Sequence, residues 1–370
     1  VDFLILIFKN IFRQKIRTTL TVLGISIGIA TIVALGIITE GLKDSMEGTL
    51  TIGASDFMVA QAGSADLILS TVTQEQLKGV EEIKGVRRAV GVLISVTPVK
   101  SNPYFMVMGI KNDALGAAEI NLHKGRAFQN QSEVILGKIA ASNLKAKVGD
   151  DFKFNNETFK IVGLYETGNP FIDGGAFVDL SYLQKTQKKE EQYTMAFVQV
   201  EKGFDPKKIA KKIENEFKGE LVSITSASDY EQLDQGLKII DAASWAISLL
   251  AILIGGIGVM NAIMMSVFER TREIGILRAL GWKRRRVLKM ILGESIAIGF
   301  LATLAGIIFG IGAAKLIMFS PTAKSFLEPS YSLITFEKAV IVALLVSFLG
   351  GLYPAYRATK FRPVEAIRYE

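Results

Sequence analysis

The chain has 370 residues, of which 49% are hydrophobic and 21% charged, with no cysteine, a single histidine and a net charge of +7. Lack of cysteine excludes disulfides and thiol chemistry without identifying a compartment, and His123 alone cannot build a zinc site. The apolar residues are concentrated in four stretches, Leu20–Thr39, Ala242–Val267, Ser295–Phe319 and Lys338–Tyr356. Each is long enough to cross roughly 30 Å of hydrocarbon.

Residues 1–42 read as an amphipathic helix followed by a first membrane helix. Phe3, Leu4, Ile7, Phe8, Ile11 and Phe12 alternate with Lys9, Arg13 and Lys15, the pattern of a helix lying along the cytoplasmic face. The apolar run that follows is longer than a signal-peptide core, so it is expected to stay as an uncleaved anchor although Ala34-Leu35-Gly36 could pass for a cleavage site.

Charge sets the expected orientation. Residues 43–236 hold 23 basic and 26 acidic side chains, and the rest of the chain 20 basic and 10 acidic. The surplus sits at Lys9–Arg17, at Arg270–Lys289 and at Arg357–Arg368, whereas Ser320–Thr335 has Lys324 as its one base. Short loops rich in Lys and Arg stay inside, so both termini and the 268–294 connection are expected in the cytoplasm, with 43–236 external. The positive charge flanks membrane and meets lipid; it does not point to nucleic acid.

Within 43–236 two strand–helix–strand halves are predicted. The first has a strand at Phe57–Ala60, a capping box Thr73-x-x-Gln76 opening a helix with Leu77, Val80 and Ile83 on one face and Gly85 at its end, then a strand near Ala89–Val96. In the second, Met195–Val200 precedes a helix that starts at Asp205-Pro206, buries Ile209, Ile213 and Phe217 and stops at Gly219, and Leu221–Ile224 closes it. Between them a β-rich subdomain, about 104–191, contains a hairpin in which Phe152 and Phe154 alternate, Asn155-Asn156 turns, and Phe159 and Ile161 alternate back. His123 is expected in a turn, and Asn169–Gly175 as a mobile external loop framed by Pro170 and two glycines. The fold class is therefore an integral membrane protein of four α-helical spans with a large external α+β domain, its two halves ferredoxin-like or porter-type, with a β-rich insert. Ile37–Leu50 and Tyr230, Leu233, Leu237 and Ile240 extend the first two spans outward as stalks, the first weakened by Gly41 and Gly48.

Residues 237–370 carry the remaining three spans. Between the second and third lies a charged amphipathic segment, 269–280, with Ile274, Leu277 and Leu280 on an apolar face, acids Glu269 and Glu273 at its start, Arg278 at its end and Gly281 as its stop. Such a face fits a groove on a partner, with arginines bonding at the rim. Glycines at 24 and 28, at 306 and 310, and at 255, 256 and 258 allow close helix packing, within one chain or between two. Glu294, at the start of the third span, is expected to pair with a loop arginine.

No P-loop, HExxH or GxSxG is present, and no residue is assigned a catalytic or metal-binding role. Asp150-Asp151 and Glu190-Glu191 read as solvated turns. A membrane-bound hydrolase would need one of them to act in catalysis and is ranked last.

Two motifs carry a family resemblance. Met260-Asn261, Ser266–Gly275 (SVFERTREIG) and Arg278-Ala279-Leu280-Gly281 resemble the signature of MacB/FtsX-type ABC transporter permeases. Gly351–Ala355 (GLYPA), Arg357-Ala358 and Pro363–Glu370 are similar to the C-terminal motif, and Val134–Gly137 and Val148–Asp150 to the family's external domain. The resemblance implies that Glu269, Arg270, Thr271, Arg272, Glu273, Ile274, Gly275, Leu277, Arg278, Ala279, Leu280 and Gly281 dock on a cytoplasmic ABC ATPase. That subunit, expected as a separate chain, would hold ATP and Mg, leaving this chain without cofactors. It also implies a homodimer or a dimer with a related permease, packed through Gly24, Gly28, Gly255, Gly256 and Gly258, and allows an external adaptor or envelope protein. The implied function is ATP-driven movement of the external domain for export or extraction of a substrate at the outer face of the cell membrane. The alternative is an ATPase-driven regulator or sensor of an external partner.

Overall fold

The computed structural model describes residues 15–50, 55–64, 66–100, 102–117, 120–226, 228–229, 235–320, 323 and 327–360. The amphipathic helix expected at 3–16 lies almost wholly outside them, as do Tyr230, Leu233 and the 363–370 motif. The chain divides into a helical unit, Val1–Ile38, Ala242–Leu316 and Tyr331–Glu370, and an α+β unit, Thr39–Asp241 and Ile317–Ser330.

Four helices carry the apolar stretches, α1 (Lys15–Leu50), α8 (Gln235–Glu269), α10 (Arg284–Ile317) and α11 (Leu333–Thr359); α1 from Thr39 onward and α8 up to Asp241 belong to the α+β unit. All four are long and apolar enough to span a membrane. Helices α1, α8 and α11 outrun their apolar stretches at both ends, because backbone hydrogen bonding continues through flanking polar turns, whereas α10 starts well before Ser295 but ends at Ile317, short of Phe319. Their packing depends on small residues. A side chain on Gly306 would strike Ile29, and one on Gly310 would strike Val33, so both glycines seat α10 against α1. A Cβ on Gly28 would come within 3.1 Å of the Ala251 carbonyl oxygen, and one on Gly255 or Gly256 would lie 3.8 or 3.7 Å from Val346. Gly24 and Gly258 have open space beside them. The α10–α11 contact is reciprocal: Ser347 packs on Gly299, Ser295 packs on Gly351, and the Ser295 hydroxyl donates to the Ser347 carbonyl. Each serine fills the space left by the other helix's glycine.

The α+β unit is built on one sheet in the order β12 (Leu221–Ile224), β1 (Phe57–Gln61), β11 (Met195–Val200), β3 (Val86–Val99), β4 (Asn102–Ile110), β9 (Ala176–Asp179), β6 (Glu133–Gly137), β8 (Glu157–Glu166), β5 (Asn121–Gly125), and the short β2 (Val72–Thr73) and β10 (Gln192–Tyr193) pair apart from it. Strands β1 (Phe57–Gln61), β3 (Val86–Val99), β11 (Met195–Val200) and β12 (Leu221–Ile224), with helices α2 (Gln74–Glu82) and α7 (Pro206–Glu216), form the two expected halves. All neighbouring pairs there are antiparallel, the arrangement of a split βαβ fold. Local signals explain the helices. Thr73 and Gln76 make both bonds of the capping box, and Asp205 caps α7, which has Pro206 at its first position.

The 14-residue strand β3 joins the halves to the insert. Its first part pairs with β11 and its last part with β4 (Asn102–Ile110). From there the sheet runs through β9 (Ala176–Asp179), β6 (Glu133–Gly137), β8 (Glu157–Glu166) and β5 (Asn121–Gly125). The hairpin of β7 (Asp151–Phe154) on β8 turns at Asn155 and Asn156, both left-handed. Its rings pack with Phe105 and Tyr182. Short helices α3 (Asn112–Ala117), α4 (Lys138–Leu144), α5 (Pro170–Asp173) and α6 (Leu180–Gln187) connect these strands.

Two local expectations are corrected. His123 stands in β5, because pairing with β8 draws the segment into the sheet edge. Asn169–Gly175 is a buried turn and not an open loop. Pro170–Asp173 forms a buried helical turn capped by Asn169, and the Asp173 carboxylate, also buried, accepts from Thr167 and Gly168. Burial raises the Asp173 pKa, with those three donors opposing it. Helix α1 runs unbroken through Gly41 and Gly48. A side chain at Gly41 would meet the Glu328 carbonyl, and one at Gly48 would meet Asn169 Nδ2 at 2.7 Å, so both glycines permit close approach. Asn169 Nδ2 donates to the Ser45 carbonyl at 2.7 Å, fastening this turn to the last part of α1. An open groove of about 500 Å³ lies beside it, lined by Asp44, Ser45, Asn169 and Glu328.

Candidate functional site

The connection between α8 and α10 brings charged and apolar side chains together on a short helix. Helix α8 ends at Glu269, Arg270 leaves helical geometry, and α9 runs Thr271–Ala279. The Thr271 hydroxyl donates back to the Val267 and Phe268 carbonyls, holding the break tightly to the end of α8. At the other end Gly281 has φ +95°, Trp282 N–H reaches the Leu277 carbonyl at 3.1 Å and Gly281 N–H the Arg278 carbonyl at 3.1 Å. This is a Schellman stop, which needs glycine at that position. Glu273 in the first turn and Arg278 in the last complement the helix dipole.

Two contacts anchor α9 to the membrane helices. Ile274 is buried in the core that includes Val267, Val287, Met290 and Ile291, and Gly275 is buried beside it. Arg270 is the polar anchor: its Nη1 donates to Glu294 Oε1 at 2.8 Å and its Nε to Glu273 Oε2 at 3.1 Å. Side-chain exposure is 13% for Arg270 and 6% for Glu294, so this pair is withdrawn from water, whereas Glu273 is 45% exposed. Burial works to lower the Arg270 pKa, but the two carboxylates outweigh it and hold the guanidinium above its ordinary value. The expectation that Glu294 pairs with a loop arginine identifies this contact; the sequence did not say which arginine.

The outward face differs from the one expected. Ile274, Leu277 and Leu280 do not share a face toward a partner, because three-residue steps at about 100° per residue drift steadily around the helix. Ile274 points inward, Leu277 is half-buried and Leu280 is 76% exposed. The exposed stripe is Arg272, Ile276, Ala279 and Leu280, with half-buried Arg278 at its side. Glu269 and Gly281 are exposed, and Thr271 is half-buried. The docking residues proposed from sequence therefore separate into Arg270, Ile274 and Gly275, which position the helix, and Arg272, Ala279 and Leu280, which remain available. Ile276, absent from the sequence-based set, joins the available group.

No group of three or more His, Cys, Asp or Glu able to hold a metal occurs among the described residues. The paired acids Asp150-Asp151 and Glu190-Glu191 are exposed.

Residues 18–216 match the MacB-like periplasmic core domain, and residues 245–363 match the FtsX-like permease C-terminal domain. The chain belongs to the MacB/FtsX-type ABC transporter permease family. It is a membrane protein. An uncharacterized ABC transporter permease of Methanocaldococcus jannaschii, MJ1507, is 25% identical over 100% of this chain and 98% of its own length. The uncharacterized ABC transporter permease YknZ of Bacillus subtilis is 28% identical over 98% of this chain and 97% of its own. The macrolide export ATP-binding/permease protein MacB of Bdellovibrio bacteriovorus is 24% identical over 98% of this chain but only 61% of its own length. In the permease, α9 thus lies inside the FtsX-like match, and the split βαβ halves lie largely inside the periplasmic core match.

Proposed function

We propose that this permease couples ATP binding and hydrolysis on a separate ABC ATPase to movement of its α+β domain, for export or extraction of a substrate at the outer face of the membrane. The observation that carries this is α9: a short helix pinned by Arg270–Glu294 and Ile274, with a stripe of Arg272, Ile276 and Leu280 left uncovered. A helix held rigidly to two spans transmits force, and an uncovered mixed face binds a partner groove. In the same reading both termini and α9 are cytoplasmic and the α+β domain is external, following the charge asymmetry. The chain works as a dimer with itself or a related permease, and Gly24 and Gly258, which have open space beside them, suit close approach of a second copy. An external adaptor or envelope protein completes the assembly.

The test is ATP hydrolysis by the cognate ATPase with the permease in lipid nanodiscs. Reversing Arg272 and Arg278 to Glu removes charge-assisted bonds and adds repulsion, a loss of about 2–5 kcal/mol, so complex formation falls roughly 30-fold or more. Hydrolysis that is the same with and without the parent permease would sink the coupling reading.

A further inference from the structure

The ends of the membrane helices nearest α9 carry a second organised surface, built of cations and aromatic rings. Lys283, Arg284, Arg285, Arg286 and Lys289 are all exposed, and no carboxylate lies within ion-pairing distance of any of them among the described residues. Three cation–π contacts occur in the same region: Arg286 over Trp282 at 4.4 Å, Arg357 over Phe268 at 5.4 Å, and Lys360 over Tyr356 at 4.7 Å. Phe268 closes α8, Trp282 precedes α10, and Tyr356 and Arg357 close α11, so three spans supply one belt. The opposite ends of these spans hold no such ring contact among the described residues.

We infer that this belt binds the phosphates of anionic glycerophospholipids. Amphipathic rings settle at headgroup depth, and a guanidinium stacked on one is held at that depth with its other N–H donors facing outward. Unpaired arginines bordering hydrocarbon find phosphate as their natural partner, bidentate and charge-assisted. Apolar Val287, Met290 and Ile291 turn inward from the same helix, leaving the cations on its lipid-facing side. The outward stripe of α9 mixes one arginine with apolar side chains, as a protein groove requires; the belt joins a cluster of cations to aromatic rings, as a lipid leaflet requires. The inference rests on membrane insertion and is independent of which ATPase drives the chain.

The experiment titrates the purified full-length permease with phosphatidylglycerol or phosphatidylcholine and counts bound lipid by native mass spectrometry. The parent is expected to prefer phosphatidylglycerol by tenfold or more, on the order expected for several basic contacts. Arg284→Gln with Arg285→Gln should cut that preference about fivefold per cation removed, leaving phosphatidylcholine binding unchanged. Arg286→Gln alone, the milder variant, should lower it measurably and serves if the double variant misfolds. Equal binding of the two lipids by the parent, or an unchanged preference in both variants, overturns the inference. Displacement of the lipid by inorganic phosphate would also overturn it, since that marks a free-anion site. So would variants that keep lipid but lose the ATPase, since the belt would then belong to a protein partner.

Discussion

Removing the Glu294 carboxylate should loosen α9 without unfolding the membrane helices. The Arg270–Glu294 bond is 2.8 Å long, and both side chains are largely shielded from water. Breaking such a pair by deleting one partner costs about 3–5 kcal/mol, because the other charge is left buried. Here Arg270 keeps its bond to Glu273, but that carboxylate is 45% exposed and the contact contributes at most about 1 kcal/mol. Glu294→Ala should therefore cost about 3 kcal/mol. Glu294→Gln, which retains the shape and one acceptor, should cost about 1–2 kcal/mol. Replacing both partners, Arg270→Met with Glu294→Met, should recover most of the loss, since no charge is then stranded. The assay is a double-mutant cycle read by unfolding in nanodiscs. Trp282, three residues beyond α9, is the local fluorescence probe in a Trp245→Phe background. A Glu294→Ala variant within about 0.5 kcal/mol of its parent, or a double variant as unstable as the single, would refute the anchoring argument.

Other expectations follow from single contacts. Gly299→Leu should overpack the α10–α11 interface where Ser347 sits, costing about 1–3 kcal/mol, seen as a lower unfolding temperature in nanodiscs, whereas Gly312→Leu, beside open space, should not. Asn169→Asp keeps the cap on Pro170–Asp173 but loses the donor to the Ser45 carbonyl. Hydrogen exchange should therefore quicken in residues 41–49 of α1 and not in the 170–173 turn. Glu133 accepts two bonds from Arg126, which hold its pKa down to about 2 even though burial opposes them. Its contribution is full above the ordinary glutamate range near pH 4.3 and is lost as pH falls toward about 2. Glu133→Gln should flatten the acid dependence of unfolding in that window; a parent and variant with the same pH profile would exclude the contribution.

Much of this architecture is legible in the residues. Period-2 runs such as Met195–Val200, the Thr73–Gln76 capping box and Asp205-Pro206 specify local geometry that neighbours reinforce. What stays hidden is what depends on distant partners. Asn169–Gly175 reads as a loop because its composition is that of a turn, yet Phe171 and Ile172 pack into a core of distant residues and Asn169 bonds the Ser45 carbonyl. Gly41 and Gly48 read only as weak points of a helix because the groups that approach them, the Glu328 carbonyl and the Asn169 side chain, come from elsewhere in the sequence. The Ser295/Gly299 and Ser347/Gly351 interlock is unremarked in either segment alone and becomes visible only when α10 and α11 are side by side. At the candidate site the motif locates the helix, but burial decides its faces: Ile274 belongs to the bundle and Ile276 to the surface.

The central claim, that the outward stripe of α9 docks on an ABC ATPase, is tested most directly by site-specific crosslinking. The chain contains no cysteine, so Ile276→Cys and Leu280→Cys each introduce a unique thiol on the exposed stripe, and Ile308→Cys on exposed α10 serves as the control. A short maleimide photocrosslinker on residue 276 or 280 is expected to capture the ATPase in membranes, with yield rising when ATP is bound, while residue 308 captures none. Capture from residue 308 as strongly as from 280, or none from either stripe position in a complex that otherwise co-purifies, would contradict the account.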